Sequence, residues 1–254
     1  MPGRTPAVYF GTVLRGILVA FVFVTVTAVL GTAAIVGELV FPGRNLCFRI
    51  GRIWSRLHLL AAGCRVRYEG HENLDRRAPC VFVSNHQSNL DIWALAMVLP
   101  LSTRVVAKAS LFRIPILGGA MRSAGFISID RSDREKAIQS LDAAHAWLRA
   151  GNPILMFAEG TRSRDGKLLP FKKGPFHLAA QTASPVVPVA VVGSWDLMPP
   201  GGLVARPGTI AVRFGDSLAP GPADHDDVGA LLDRARRAIL DLSTEPVAAA
   251  AADR

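Results

Sequence analysis

His86 and Asp91 lie five residues apart in the segment Asn85-His86-Gln87-Ser88-Asn89-Leu90-Asp91. On one regular helix, residues at that separation point about 140° away from each other, so the two side chains meet only if His86 precedes a helix that carries Asp91. In that arrangement the carboxylate holds one ring nitrogen, fixes the tautomer and stabilises the imidazolium. The other nitrogen is left to act as a general base. Among the six histidines, His86 is distinguished by this spacing and by the polar residues around it.

The proton such a base would take is narrowed by what the sequence lacks. There is no G-x-S-x-G elbow, and none of the three cysteines, Cys47, Cys64 and Cys80, sits in a catalytic or C-x-x-C motif. A covalent serine or thiol intermediate therefore has little support, with Ser84 and Ser88 the only weak nucleophile candidates. His71-Glu72 has no second histidine four residues on, and neither a Walker loop nor G-x-G-x-x-G occurs, so no metal and no nucleotide cofactor is expected. The simpler scheme has His86 activate a substrate hydroxyl that attacks an acyl donor directly. Lys108, Arg131 and Arg162 suit a phosphate on that substrate; taken singly, each also fits a surface charge or an ion pair with Asp130 or Glu159.

The elements that must position these residues are short β-branched runs alternating with helical stretches. CRVRY, CVFVS, TRVVA, FISI, ILMFA, VVPVAVV and TIAVRF read as strands, and a helix with a Ser132/Glu135 capping pair follows FISI and stops at Gly151-Asn152-Pro153. Strand-helix alternation of this kind predicts an α/β domain over residues 63–245, with a mixed, largely parallel sheet flanked by helices. Val228 to Leu242 reads as an amphipathic helix, and residues 246–254 as a disordered tail. Ligands of open α/β sheets bind beyond the carboxyl ends of the strands. His86, Lys108, Arg131 and the run Glu159-Gly160-Thr161-Arg162 all follow predicted strands, and so should share one rim.

Ahead of this domain, 22 residues between Arg15 and Glu38 carry no charge, enough for a helix of roughly 33 Å that matches a hydrocarbon core. The run exceeds the apolar core of a cleaved signal peptide, which favours a retained membrane helix over residues 16–37. Residues 44–62 read as a basic amphipathic helix, with Leu46, Ile50, Ile53, Leu57 and Leu60 on one face and Arg49, Arg52 and Arg56 on another. Pro42-Gly43 could turn the two helices into a hairpin, so spanning and single-leaflet arrangements both remain open. The arginines after the apolar run place the remainder in the cytoplasm. The chain is half hydrophobic and only 19% charged, which excludes disorder, and its net charge of +9 predicts anionic partners without choosing among them.

These residues also carry a resemblance. The segment 85–91 resembles the N-H-x4-D block of the membrane-bound glycerolipid acyltransferases, especially the 1-acylglycerol-3-phosphate acyltransferases. Gly125 to Arg131, Phe157 to Ser163 and Val187-Pro188-Val189 resemble the second, third and fourth blocks, in the family's order. The resemblance implies transfer of a fatty acyl group from an acyl-CoA or acyl carrier protein thioester to lysophosphatidic acid at the cytoplasmic face of the inner membrane, giving phosphatidic acid. His86 would be the base and Asp91 its partner. Arg131, Glu159, Gly160, Thr161 and Arg162 would hold the glycerol phosphate with Lys108, and Pro188 would shape the acyl-chain site. The partners it implies are lipid, bilayer and thioester, with no nucleic acid. Another lyso-lipid acceptor such as lyso-ornithine lipid, and a non-catalytic basic protein binding anionic lipid, stay as alternatives.

Overall fold

The computed structural model describes residues 6–75, 78–130, 134–202, 204–225 and 227–244. Arg131, Ser132 of the expected capping pair and the tail 246–254 lie outside them. The seven strands, β1 (Cys64–Glu69), β2 (Val81–Ser84), β3 (Arg104–Lys108), β4 (Ile127–Ile129), β5 (Ile154–Phe157), β6 (Val186–Val192) and β7 (Gly208–Phe214), are the seven runs read from the sequence. They form one sheet in the order β1-β7-β6-β2-β5-β3-β4. Every pairing is parallel except β6 with β7.

Alternation along the central strands divides the core. Val81 and Val83 of β2 and Ile154 and Met156 of β5 face one layer of helices, α5 (Arg134–Arg149), α6 (Gly174–Gln181) and α8 (Gly229–Thr244), whose Leu148, Phe176 and Leu231 fill it. Phe82, Leu155 and Val187 face the opposite layer, with Trp93 and Leu95 of α3 (Leu90–Val98). Burial on both faces is why these strands read as continuous apolar runs.

The N-terminal segment is a helical hairpin. The first helix, α1, runs Pro6–Val40, longer than the expected 16–37 because its backbone hydrogen bonding continues through the charged residues that bounded the apolar run. Glu38 turns to the second helix, α2 (Leu46–Ala62), where its carboxylate accepts from the amides of Gly43 at 3.2 Å and Cys47 at 3.4 Å. It thereby caps α2, whose own Asn45 makes no side-chain cap. Gly31 lets α1 approach α4 (Leu117–Ser123), since a Cβ there would stand 2.6 Å from a methyl of Ile116.

On α2 the expected apolar stripe is largely bare: Ile53, Leu57 and Leu60 are exposed, while Leu59 and Ala62 join the core under the sheet. Arg52 departs from the expected basic face. Its guanidinium donates to Ala96 O at 3.3 Å and Leu99 O at 2.5 Å, which caps the carboxyl end of α3. The boundary drawn at residue 62 is a left-handed turn at Gly63 (φ 68°) within continuous packing.

Candidate active site

β2 ends at Ser84, and the next five residues wrap around one carboxylate. Asp91, in the first turn of α3 and wholly buried, uses Oδ2 to accept from the amides of Gln87 at 2.7 Å and Ser88 at 2.8 Å. The same oxygen lies 2.8 Å from Nδ1 of His86. This is the loop-then-helix geometry the spacing required. A buried carboxylate at that distance makes Nδ1 the protonated nitrogen and leaves Nε2 as the base. The imidazole stacks on Phe157 at the end of β5, with ring centroids 3.9 Å apart and planes 20° from parallel.

Asn85 holds the turn to the sheet. Its side chain donates to Val191 O at 2.9 Å and accepts from Val191 N at 2.7 Å, reproducing a backbone ladder pair where β2 has left the sheet. Ser88 donates to Met198 O at 2.7 Å, and Gln87 to Gly166 O at 2.6 Å. Histidine-carboxylate spacing brought His86 and Asp91 into view; the roles of Asn85, Gln87 and Phe157 have no such local signal, because their partners are distant in sequence.

The run after β5 completes the rim. Gly160 makes a turn at φ 73°, with its amide on Phe157 O at 3.0 Å, and Thr161 is exposed beyond it. Arg162 donates to Asn89 Oδ1 at 2.5 Å, which ties this cation to the loop between His86 and Asp91. Lys108 stands exposed at the carboxyl end of β3, in register with Ile129. Arg131, two residues beyond Ile129, lies outside the described residues.

Two expected residues sit elsewhere. Pro188 is buried within β6 opposite Val83, and only its carbonyl is engaged by a later residue, through Gly215 N at 2.9 Å. It does not line the apolar cavity described below. Glu159 is 2% exposed and turned inward: Oε1 accepts from His86 N at 2.6 Å and Oε2 from Leu169 N at 2.8 Å. Both of its oxygens are thus engaged by main-chain amides rather than turned to the rim. Burial pushes its carboxyl up to about 7 against the pull of the two amides, and the charge of Asp91 raises it further.

A cavity of about 450 Å³ lies among α1, α2, α3, β3 and α4, with Asn89 and Arg162 of the rim in its lining. Ala34, Phe48, Trp93, Val105, Met121 and Phe126 are among its walls. Its volume and apolar lining suit a hydrocarbon chain.

Residues 65–192, half of the chain, match the family model described as Acyltransferase. The chain belongs to the acyltransferase family. Among its relatives are the chloroplastic 1-acyl-sn-glycerol-3-phosphate acyltransferase BAT2 of Brassica napus, 36% identical over 77% of this chain and 58% of the relative. The 1-acyl-sn-glycerol-3-phosphate acyltransferase of Limnanthes douglasii is 36% identical over 78% of this chain and 71% of the relative. The match thus spans little more than half of the Brassica protein and about seven tenths of the Limnanthes one. The crystal structure of the 1-acyl-sn-glycerophosphate acyltransferase PlsC from Thermotoga maritima has the same fold. It superposes with a TM-score of 0.80 over 94% of this chain and 98% of that one, at 23% identity.

Proposed function

We propose that this acyltransferase moves a fatty acyl group from a thioester to the sn-2 hydroxyl of 1-acylglycerol 3-phosphate, forming phosphatidic acid. The observation that carries this reading is the buried Asp91 held 2.8 Å from His86 Nδ1, in a segment whose Asn89 lines an apolar cavity. His86 Nε2 takes the hydroxyl proton as the oxygen attacks the thioester carbonyl. The tetrahedral adduct then collapses, the C–S bond breaks, and the leaving thiolate is protonated from the imidazolium. Asp91 stabilises the positive ring meanwhile. No covalent acyl-enzyme is required.

Arg162 and Lys108 supply positive charge at the rim for the acceptor's phosphate, with Arg131 a third cation in the same reading. Arg162→Ala is therefore expected to raise the acceptor KM about tenfold with little change in kcat, measured by initial rates against lysophosphatidic acid. The cavity takes the acyl chain. In Ala34→Leu the narrowed cavity should shift preference toward shorter thioesters, each excluded methylene weakening binding by about 0.8 kcal/mol, roughly fourfold. A competition assay between donors of different chain length reads this directly.

The hairpin is the membrane seat in this proposal. Val19–Val40 is the one described helix long and apolar enough to cross a membrane, and large apolar side chains stay bare on both helices, Phe21 at 66% and Leu60 at 64% among them. Such a surface buries in lipid and sets the rim at the cytoplasmic face of the inner membrane, where a lyso-lipid arrives by lateral diffusion. The donor, an acyl-CoA or acyl carrier protein thioester, is anionic and suits a chain of net charge +9.

The decisive experiment is transfer of a labelled acyl group from palmitoyl-CoA, and separately from the acyl carrier protein thioester, to lysophosphatidic acid by the purified protein in liposomes, with lyso-ornithine lipid as a parallel acceptor. Labelled phosphatidic acid is the expected product. Product from lyso-ornithine lipid alone would keep the chemistry and replace the acceptor, and lipid binding without transfer would overturn the reading.

A further inference from the structure

Glu159 sits in the block that the family resemblance assigns to phosphate, yet its surroundings are those of a joint. Its two oxygens bind two amides 83 positions apart in the chain, His86 N at 2.6 Å and Leu169 N at 2.8 Å. The first belongs to the segment that carries the base. The second belongs to the return limb of residues 160–172, the loop that carries Arg162.

That loop is tied to the base segment at further points. Ser163 N donates to His86 O at 2.9 Å, Gln87 Nε2 to Gly166 O at 2.6 Å, and Lys172 N closes the loop on Ala158 O at 2.8 Å. Among these ties only Glu159 is ionisable, and only it grips both limbs with one rigid group. Accepting two N–H donors, one on each oxygen, suits the carboxylate best; a protonated carboxyl keeps one strong acceptor and carries an O–H on the other oxygen.

Resting on the acyl-transfer reading above, we propose that Glu159 is a positioning residue and not a phosphate ligand: its ionised carboxylate sets the height of the His86 backbone against the cationic loop, so that base and bound acceptor meet in register. Asp91 and Glu159 thus hold His86 at two points, one at its ring nitrogen and one at its main-chain amide. Desolvation of Glu159 is the standing cost of this arrangement, and it sits where function, not stability, requires it.

Among the described residues, the charges that act on Glu159 are Asp91 on α3, which raises it, and Arg236 on α8, which partly offsets the burial, while His86 meets it through its main-chain amide. Its folded-state value of about 7 lies above the ordinary 4.5, so the folded chain binds this proton more tightly than the unfolded one. Stability therefore falls as pH rises from about 4.5 to about 7, while the ionised form needed for positioning accumulates over the same range. The acidic limb of activity then carries the ionisation of Glu159.

The test compares Glu159→Gln and Glu159→Asp with the parent protein in liposomes, by kcat, acceptor KM and the pH dependence of kcat/KM. Gln presents an NH2 to one of two N–H donors and should lower kcat at least tenfold, with acceptor KM changed less than twofold and a shallower acidic limb. Asp keeps the charge and should recover part of the rate and the steeper limb. Thermal unfolding should show the loss of stability between pH 4.5 and 7 in the parent and its absence in Glu159→Gln. A raised acceptor KM with kcat intact in Glu159→Gln would overturn the positioning role and return the residue to the phosphate site. If both variants fail to fold, exchange of the His86 amide with solvent in the parent protein decides. Protection that weakens as pH falls through 7, after correction for intrinsic exchange, supports the tie, and unchanged protection overturns it. Loss of the acyl-transfer reading itself would register separately, as a parent protein that binds lipid and transfers no acyl group.

Discussion

His86→Ala should lower kcat for acyl transfer by about 10²- to 10⁴-fold, the range general base catalysis contributes. Folding should survive, because what ties this residue to its surroundings is mostly main chain: His86 N on Glu159 and His86 O under Ser163 N persist with an alanine side chain. The ring itself covers Phe157 on one side only and is not part of the core. Asp91 would keep its two amide donors, so the buried charge stays compensated. Steady-state rates beside thermal unfolding curves check both halves, and a rate within threefold of the parent would remove His86 from the mechanism.

Asp91→Asn separates geometry from charge. The amide oxygen can replace Oδ2, accept from Gln87 and Ser88, and leave the NH2 at the position of Oδ1, which makes no hydrogen bond within the described residues. The turn therefore closes as before. What disappears is the negative charge that stabilises the imidazolium and enforces its tautomer, and kcat should fall by about 10²- to 10⁴-fold with near-native stability. Asp91→Ala is a different experiment: it strands the Gln87 and Ser88 amides, at about 1 to 3 kcal/mol each, and should appear chiefly as a lowered Tm. An Asn variant of parental rate would dissolve the dyad.

Much of the architecture was legible in the sequence because the central strands β2, β5 and β6, buried on both faces, announce themselves as unbroken apolar runs, and the outer strands as segments with β-branched residues. The dyad was legible because a five-residue spacing admits so few geometries. Residues whose partners come from other elements were not. Helical periodicity puts Arg52 on a face of α2 but says nothing of the carbonyls of Ala96 and Leu99 that meet it there. Charge marked the ends of the first apolar run, yet Glu38 continues the helix and caps the next one. Glu159 was grouped with the phosphate ligands by its motif, and only the inward turn of its side chain, toward amides on two other segments, shows what it holds.

The hairpin also builds a wall of the apolar cavity. Ala34, Phe48 and Trp54 line that cavity, Trp54 donates across the hairpin to Thr27 at 2.9 Å, and Arg52 finishes the helix that carries Asp91. Cutting the chain after Ala62 would not release a soluble enzyme, because the same stroke would slit the chain-binding cavity and uncap α3. On the proposed reading the tether and the gauge are one object: a change that alters how the hairpin sits in lipid should also alter which acyl chains fit.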